Sequence, residues 1–385
     1  MVTGIVEPKK AAGSPRGVTR YCGRVVYLYA FDVAYDMLRE PVPQLLGQQV
    51  AEFCVDTSKR NPRHLFFSRP QMVRLPPMER MGPKGPIRME RTLKFLPVGA
   101  ISIMVSVPFE VKNIEDLVEY HDLEFSNGQL TQEVRQLAES ARGELARYFL
   151  KPVQQLADEE AYTVFCIDAP LISEDGLPLS AEDWLHEHRR EVAALLTQEP
   201  DVNQLSRQEV DESTGRALSY YENDLTVLDW DAALVVQEPG RVDEILYILE
   251  LANLQLAELE AYDRILDNAL ERSYRDLNRS PKRSGEVMKE LREIRIDLSH
   301  FSDELSNITK FFGDWHLARI YENISARFHL SDWHRAIDEK LRTLANLYQL
   351  LSQDLNNRWM LTLEVTIVLL FIIDLILLVL GLKRP

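Results

Sequence analysis

The side chains that could do chemistry in this chain are few and scattered. Two groups combine histidine with a carboxylate, at 121–122 and 186–188. His186 and His188 are two residues apart, so on a helix they face different directions and cannot share a metal as histidines four apart would. The chain contains no Gly-x-Ser-x-Gly, Walker A, Gly-x-Gly-x-x-Gly or His-Glu-x-x-His motif. We therefore predict a protein that is not an enzyme and that carries no metal or cofactor.

Asp374 is a carboxyl group in a stretch where such a group is costly. Residues 360–382 include 17 Leu, Ile, Val and Phe, and a helix of that length crosses about 30 Å of hydrocarbon. At about −0.4 kcal/mol each, these residues favour insertion by roughly 7 kcal/mol, against about 3 for the aspartate. We predict a transmembrane helix with Trp359, Lys383 and Arg384 at the interfaces. Three roles for Asp374 then stay open: it forms a hydrogen bond between the spans of an oligomer, it lines an ion path, or it is hydrated at the far interface.

The second candidate site is the basic, proline-rich stretch 59–94, which holds ten Lys and Arg. Contacts to phosphates are largely driven by charge, so the stretch predicts docking on a ribosome, a nucleic acid or anionic lipid. The alternative is a basic loop neutralised by the acidic remainder of the chain, and no RNA-binding signature accompanies the stretch. The candidate polyanion contacts are Arg69, Arg74, Lys84, Arg88 and Arg91.

Charge is unevenly distributed along the chain, whose net charge is −16. Residues 1–100 carry 16 Lys and Arg against 8 Asp and Glu, which gives +8, and the remainder carries 28 against 52, which gives −24. Such an asymmetry indicates separate roles for the two parts.

Cysteine usage and the first residues indicate a reducing compartment. Cys22, Cys54 and Cys166 are far apart and form no Cys-x-x-Cys spacing, which predicts buried thiols rather than disulfides or a zinc site. Residues 1–20 lack an apolar core and predict a flexible lead-in rather than a signal peptide. We expect a C-terminally anchored protein whose bulk lies in the cytoplasm or in the equivalent organelle matrix.

Residues 21–238 predict a mixed α/β head domain. Strand signals occur at 24–37, 95–111 and 160–168, and a short meander spans 217–236. Helix signals occur at 113–117, 131–148 and 180–196. Six prolines and two glycines exclude a long helix from 59–94.

From Val242 onwards, apolar residues recur at alternating steps of three and four. Three runs span 245–270, 287–315 and 330–355, with a turn at 278–285 after the first. Heptads of this kind predict a coiled-coil hairpin, although three helices of a compact bundle have nearly the same spacing. We predict an α+β protein in which a helical stalk, 241–358, continues into the transmembrane helix.

The helical run EILYILELANLQLAELEAYDRILD and the later LANLYQLLSQDLNNRWMLTLEVTIVLLFIIDLILLVLG resemble the "required for meiotic nuclear division" family. The likeness is best over residues 230–385, and the late glutamate of that family falls at Asp374. The resemblance implies an α/β head, a helical region and one C-terminal membrane helix. It also implies a tether, because mitochondrial relatives are associated with anchoring ribosomes at a membrane.

Two functions follow as alternatives, with an enzyme of unrecognised type as a third. The first is a membrane-tethered, self-associating scaffold that presents its head to a partner. The second is an oligomeric ion conductor built around Asp374, because the plan is similar to that of CorA-type magnesium channels. Those channels have two spans joined by a Gly-Met-Asn loop, and this sequence predicts one span and lacks that tripeptide.

Overall fold

The structure is a computed structural model that describes most of the chain. The described residues are 20–38, 40–53, 70–82, 85–126, 128–153, 155–172, 178–277 and 315–379, with the isolated positions 289, 292 and 296. The chain divides into two compact units. The head unit comprises Met1–Ala257 and Phe311–Phe328, and the helical unit comprises Glu258–Lys310 and His329–Pro385. The first division falls inside a helix, whereas the sequence pattern placed it at 238–241.

The head unit is built on a nine-stranded sheet, and three further two-stranded sheets accompany it among the described residues. The strands are β1 Tyr21–Asp32, β2 Ala34–Met37, β3 Gln44–Leu45, β4 Gln48–Gln49, β5 Ala51–Glu52, β6 Gln71–Gly82, β7 Gly85–Phe95, β8 Ala100–Val111, β9 Glu124–Phe125, β10 Gly128–Gln129, β11 Phe149–Pro152, β12 Glu160–Asp168, β13 Ala217–Leu218, β14 Leu225–Leu228 and β15 Ala232–Gln237. The large sheet has the order β13-β14-β15-β12-β1-β8-β7-β6-β5. All its neighbours are antiparallel except β12 and β15, which are parallel.

Seven α-helices are described. They are α1 Leu130–Leu145, α2 Ala181–Glu187, α3 Arg189–Leu196, α4 Arg207–Thr214, α5 Val242–Leu277, α6 Trp315–Arg327 and α7 Leu330–Val379. Short 3-10 helices occur at Ile114–Tyr120, Ala146–Tyr148 and Val202–Gln204. The parallel pair β12 and β15 requires a long crossover, and α2, α3 and α4 lie in it.

Both faces of the central strands are buried, which explains their nearly continuous apolar sequence. In β1, Tyr27 and Phe31 belong to the main core, to which α1 and α3 also contribute. Leu28 lies on the other face, where Asn253 of α5 donates a hydrogen bond to the carbonyl of Glu160 at 3.0 Å. At Gly23 the strands approach so closely that a Cβ would lie 1.9 Å from the carbonyl oxygen of Cys166, so only glycine fits there.

The basic, proline-rich stretch forms two long strands where it is described. β6 and β7 make an antiparallel hairpin whose register shifts between Leu75 and Met78. Pro76 and Pro77 occupy this bulge. Proline cannot donate to a ladder, so it fits an edge strand or a bulge, and β5 pairs with only the first two residues of β6. The prediction of no long helix is confirmed within 70–82 and 85–94, and residues 59–69 and 83–84 lie outside the described residues.

Several predicted elements match their counterparts closely. The strand at 160–168 and the antiparallel meander of β13, β14 and β15 are present. The helix predicted at 180–196 begins with Ser180 capping the backbone of Asp183, but it breaks at His188 into α2 and α3. The signal at 95–111 combines the end of β7 with β8, because residues 96–99 form a turn.

The helical unit contains the second half of α5 and all of α7. Lys340 of α7 forms ion pairs with Asp263 and Asp267 of α5, both at 2.6 Å. Leu259, Leu266, Leu341 and Leu344 are buried. Long helices are therefore present where the first and third heptad runs predicted them. The turn 278–285 and most of the second run lie outside the described residues, and the coiled coil stays a prediction.

Candidate functional site: a membrane anchor

The last helix ends in an apolar segment that could cross a membrane. Trp359–Leu378 is 20 residues long with a mean hydropathy of 2.6, and none of it is buried. At 1.5 Å per residue it spans about 30 Å, the thickness of a hydrocarbon core. In the part of the chain that the structure describes, it is the one helix that is both long and apolar enough.

Exposure distinguishes this segment from a buried core helix. Leu370 is 60% exposed and Phe371 is 75% exposed, and residues around the whole circumference are likewise in the exposed class. Soluble proteins rarely leave apolar patches larger than a few hundred Å² in water. An apolar helix that is exposed on all sides fits a lipid environment better than an aqueous one.

Two of the residues predicted for the anchor, Trp359 and Asp374, are among the described residues. Trp359 begins the apolar segment and is exposed. Asp374 lies four residues before its end, or about 6 Å of helical rise. Lys383 and Arg384 lie outside the described residues.

The three candidate polyanion contacts that the structure describes lie on two faces of the β6–β7 hairpin. Arg74 and Arg88 are exposed, and the strand alternation places them on the same face of the hairpin as Glu79 and Glu90. Arg91 lies on the opposite face, where it donates a 3.2 Å hydrogen bond to the carbonyl of Pro76 in the bulge. Arg69 and Lys84 lie outside the described residues.

Two further cations of the stretch form ion pairs within the chain. Arg80 binds Glu133 of α1 at 2.6 Å, and Lys94 binds Glu250 of α5. These pairs agree with the interpretation that the acidic part of the chain neutralises the basic stretch.

Lys94 and Glu250 form a buried polar cluster that the sequence analysis did not identify. Their side chains are only 5% and 2% exposed. Ser102, which lies directly opposite Lys94 on β8, donates a 2.5 Å hydrogen bond to the second carboxylate oxygen of Glu250. The Lys94 ammonium also lies 3.8 Å from the centre of the Phe53 ring, a cation–π contact. The cluster fixes the first half of α5 on the sheet. The sequence signal for this cluster is Glu250 itself, because it is the one carboxylate in the apolar run ILYILELANL.

A second ion pair connects α6 to the turn between β14 and β15. Arg327 donates a hydrogen bond to Asp229 at 2.9 Å and another to Glu212 at 2.8 Å. Asp229 is nearly buried, and the neighbouring ring of Phe328 contacts Tyr162 edge-on. α6 was not predicted as a separate helix, although Leu317, Ile320, Tyr321 and Ile324 have the spacing of an amphipathic helix.

The comparisons with known proteins match more than half of the chain. The family described as "Uncharacterized protein MJ0711, N-terminal domain" matches residues 22–243, more than half of the 385 residues. This chain belongs to that family. The chain is also 25% identical to "Uncharacterized protein MJ0711" of Methanocaldococcus jannaschii over 282 residues, which cover 72% of this chain and 78% of that protein. No solved structure matches.

The part of this chain that matches the MJ0711 family, residues 22–243, begins in β1 and ends at the start of α5. It includes Lys94 but neither Glu250 nor the apolar end of α7. The family match therefore covers most of the head and does not include the apolar end of α7. The resemblance to the "required for meiotic nuclear division" family stays a prediction.

The histidine clusters of this MJ0711-family head make structural contacts. The ring of His188 stacks on Trp184 at 5.1 Å, and its Nδ1 lies 3.0 Å from the carbonyl of the same residue. His121 Nε2 lies 2.5 Å from the carbonyl of Leu195. Among the described residues, no group of His, Cys, Asp and Glu has the arrangement of a metal site.

Stability is expected to fall below pH 6.5 through His121. Burial lowers the pKa of this imidazole, and this effect exceeds the opposing effects of the Leu195 carbonyl and of Asp122 and Asp231. The unfolded chain then takes up a proton near pH 6.5 while the folded chain does not, so the free energy of unfolding drops as the pH falls to the lower, folded pKa. Urea unfolding at pH 7.5 and 5.5 should show a smaller drop for His121→Gln than for the unaltered chain.

Burial also lowers the pKa of His334, so this residue contributes to the same pH dependence of stability. It is present in both proteins, so its contribution cancels in the difference. An identical drop in the two proteins would show that His121 titrates normally in the fold.

Proposed function

We propose that this protein is a membrane-anchored, self-associating scaffold that holds an MJ0711-family head at a membrane for a partner. The observation that carries the proposal is the 20-residue apolar segment at the end of α7, none of which is buried. Insertion into a bilayer removes this surface from water.

The anchor is continuous with the packed part of the helical unit. α7 runs without interruption from Leu330 to Val379. Its first half is held to α5 by the ion pairs of Lys340. A single helix therefore connects the segment proposed to lie in the bilayer with the packed helices, as a tether requires.

The head supports a role in binding rather than in catalysis. Lys94 and Glu250, the most buried ion pair of its described residues, neutralise each other and are only 5% and 2% exposed. On the open face of the hairpin, Arg74 and Arg88 alternate with Glu79 and Glu90. This alternation favours a partner of mixed charge over a polyanion such as RNA.

The alternative function, ion conduction, requires several copies around a pore. The described residues of each chain supply one candidate span, and a single helix encloses no aqueous path.

The test of the proposal is the location of the head. Cys22 is exposed and Cys166 is buried, and burial raises the pKa of the Cys166 thiol to about 12, so that thiol stays unreactive. In a Cys54→Ser chain, we expect a membrane-impermeant maleimide to label Cys22 in inverted vesicles and not in intact cells. A Cys22→Ser, Cys54→Ser chain measures the background. Equal labelling of intact cells would contradict a cytoplasmic head.

A further inference from the structure

The apolar end of α7 carries a heptad seam that passes through Asp374. Leu363, Ile367, Leu370, Asp374 and Leu377 are separated by steps of four, three, four and three. At 100° per residue they lie within about 60° of the aspartate on the helix surface. The opposite side of the apolar segment carries no ionisable residue. Its apolar members include Val365, Val368, Leu369, Ile372 and Ile376.

This spacing is the one by which two helices pack in a left-handed coiled coil. Membrane helices pack mostly in the same way, with crossing angles of about 20°. The apolar residues of the seam are exposed over much of their surface, for example Leu363 at 61% and Ile367 at 53%. The spacing of the seam is therefore that of a packing face, and its apolar side chains are accessible to a second helix.

The position of the Asp374 carboxyl group indicates which side of α7 faces protein and which side faces lipid. Ionisable residues within membrane spans almost always face a protein interior or a water-filled cavity. A polar residue at one core position of a coiled coil also specifies register and oligomeric state. The side of α7 that bears Asp374 should therefore face protein, and the opposite side should face lipid.

We infer that the seam through Asp374 is the contact between the spans of two copies of this chain. Each chain supplies one candidate span among its described residues, and a second copy supplies a span with the same seam. A two-fold contact brings the same position of both helices together. Two Asp374 carboxyl groups that share one proton can form a hydrogen bond to each other, because one donates while the other accepts. The seam is complementary to itself in both shape and chemistry.

This inference rests on the proposed membrane anchor and is tested in the full-length chain. In a Cys22→Ser, Cys54→Ser background, single cysteines are placed on the seam by Ile367→Cys and Leu370→Cys. Matched controls on the opposite side are Val368→Cys and Ile372→Cys. After mild oxidation of membranes, we expect disulfide-linked dimers from the two seam positions and none from the two controls.

Asp374 itself is tested by adding Asp374→Leu or Asp374→Asn to the Leu370→Cys chain. Loss of an interhelical hydrogen bond should lower the dimer yield about threefold to tenfold in the leucine variant. Asparagine keeps a donor and an acceptor, so the yield should be retained.

Alkaline carbonate extraction of the same membranes separates the two claims. Protein that resists extraction but cross-links equally at all four positions, or only at the controls, would overturn the seam and leave the anchor intact. Protein that carbonate releases would overturn both.

Discussion

Replacing Glu250 with leucine should destabilise the head by about 3–5 kcal/mol, because it leaves the Lys94 ammonium buried without a counter-charge. Ser102 would also lose the acceptor of its 2.5 Å hydrogen bond. The cation–π contact with Phe53 remains, but at about 2 kcal/mol when desolvated it offsets only part of the loss. Thermal unfolding of the full chain in detergent micelles measures the change.

The double variant Lys94→Met, Glu250→Leu distinguishes the loss of the ion pair itself from the cost of leaving one charge buried without a partner. Replacing both partners of a buried pair with apolar residues is often neutral or even stabilising, so the double variant should recover most of the lost stability. The exposed pair between Arg20 and Glu110 is the matched surface control, and Arg20→Ala should cost less than about 1 kcal/mol. A double variant as unstable as the single one would mean that the cluster contributes something other than charge pairing.

Two arginines in the apolar segment should release the protein from membranes. In Val368→Arg, Ile372→Arg, each arginine costs about 3 kcal/mol and each lost apolar residue about 0.4. The total of about 7 kcal/mol exceeds the net of roughly 4 that favours insertion. We expect most of the protein to move from the carbonate-resistant membrane fraction into the soluble or aggregated fraction.

The matched control for this change is Val368→Leu, Ile372→Leu, which keeps the segment apolar at the same positions. Both positions lie away from Asp374, so neither change alters the proposed seam. Carbonate-resistant membrane binding by the arginine variant would show that the chain is held by something other than this helix.

The local pattern of apolar residues was sufficient to predict those helices and strands whose limits do not depend on distant contacts. The strand 160–168 has a run of apolar and β-branched residues bounded by polar ones, and the structure gives it the same limits. The helix predicted at 131–148 appears as α1 followed by one 3-10 turn. The apolar end of α7 was predicted for the same reason, because its length and composition are local properties.

What the sequence did not predict depends on contacts between distant residues. Lys94 and Glu250 are separated by 156 positions, and no local pattern indicates that they pair. The hairpin of β6 and β7 has a bulge of two prolines, and its strand character becomes apparent only from the pairing with β8. The basic residues were therefore grouped by their sequence position, whereas the pleat distributes them over two faces.

The most direct test of the anchor is flotation of the full-length chain compared with a chain that ends at residue 358. Both are mixed with membranes, treated with alkaline carbonate and centrifuged through a density gradient. We predict that the full-length chain floats with the lipid and that the shortened chain, which keeps the head unit and the Lys340 ion pairs, stays at the bottom. If both chains float, or if neither does, the apolar end of α7 is not the anchor.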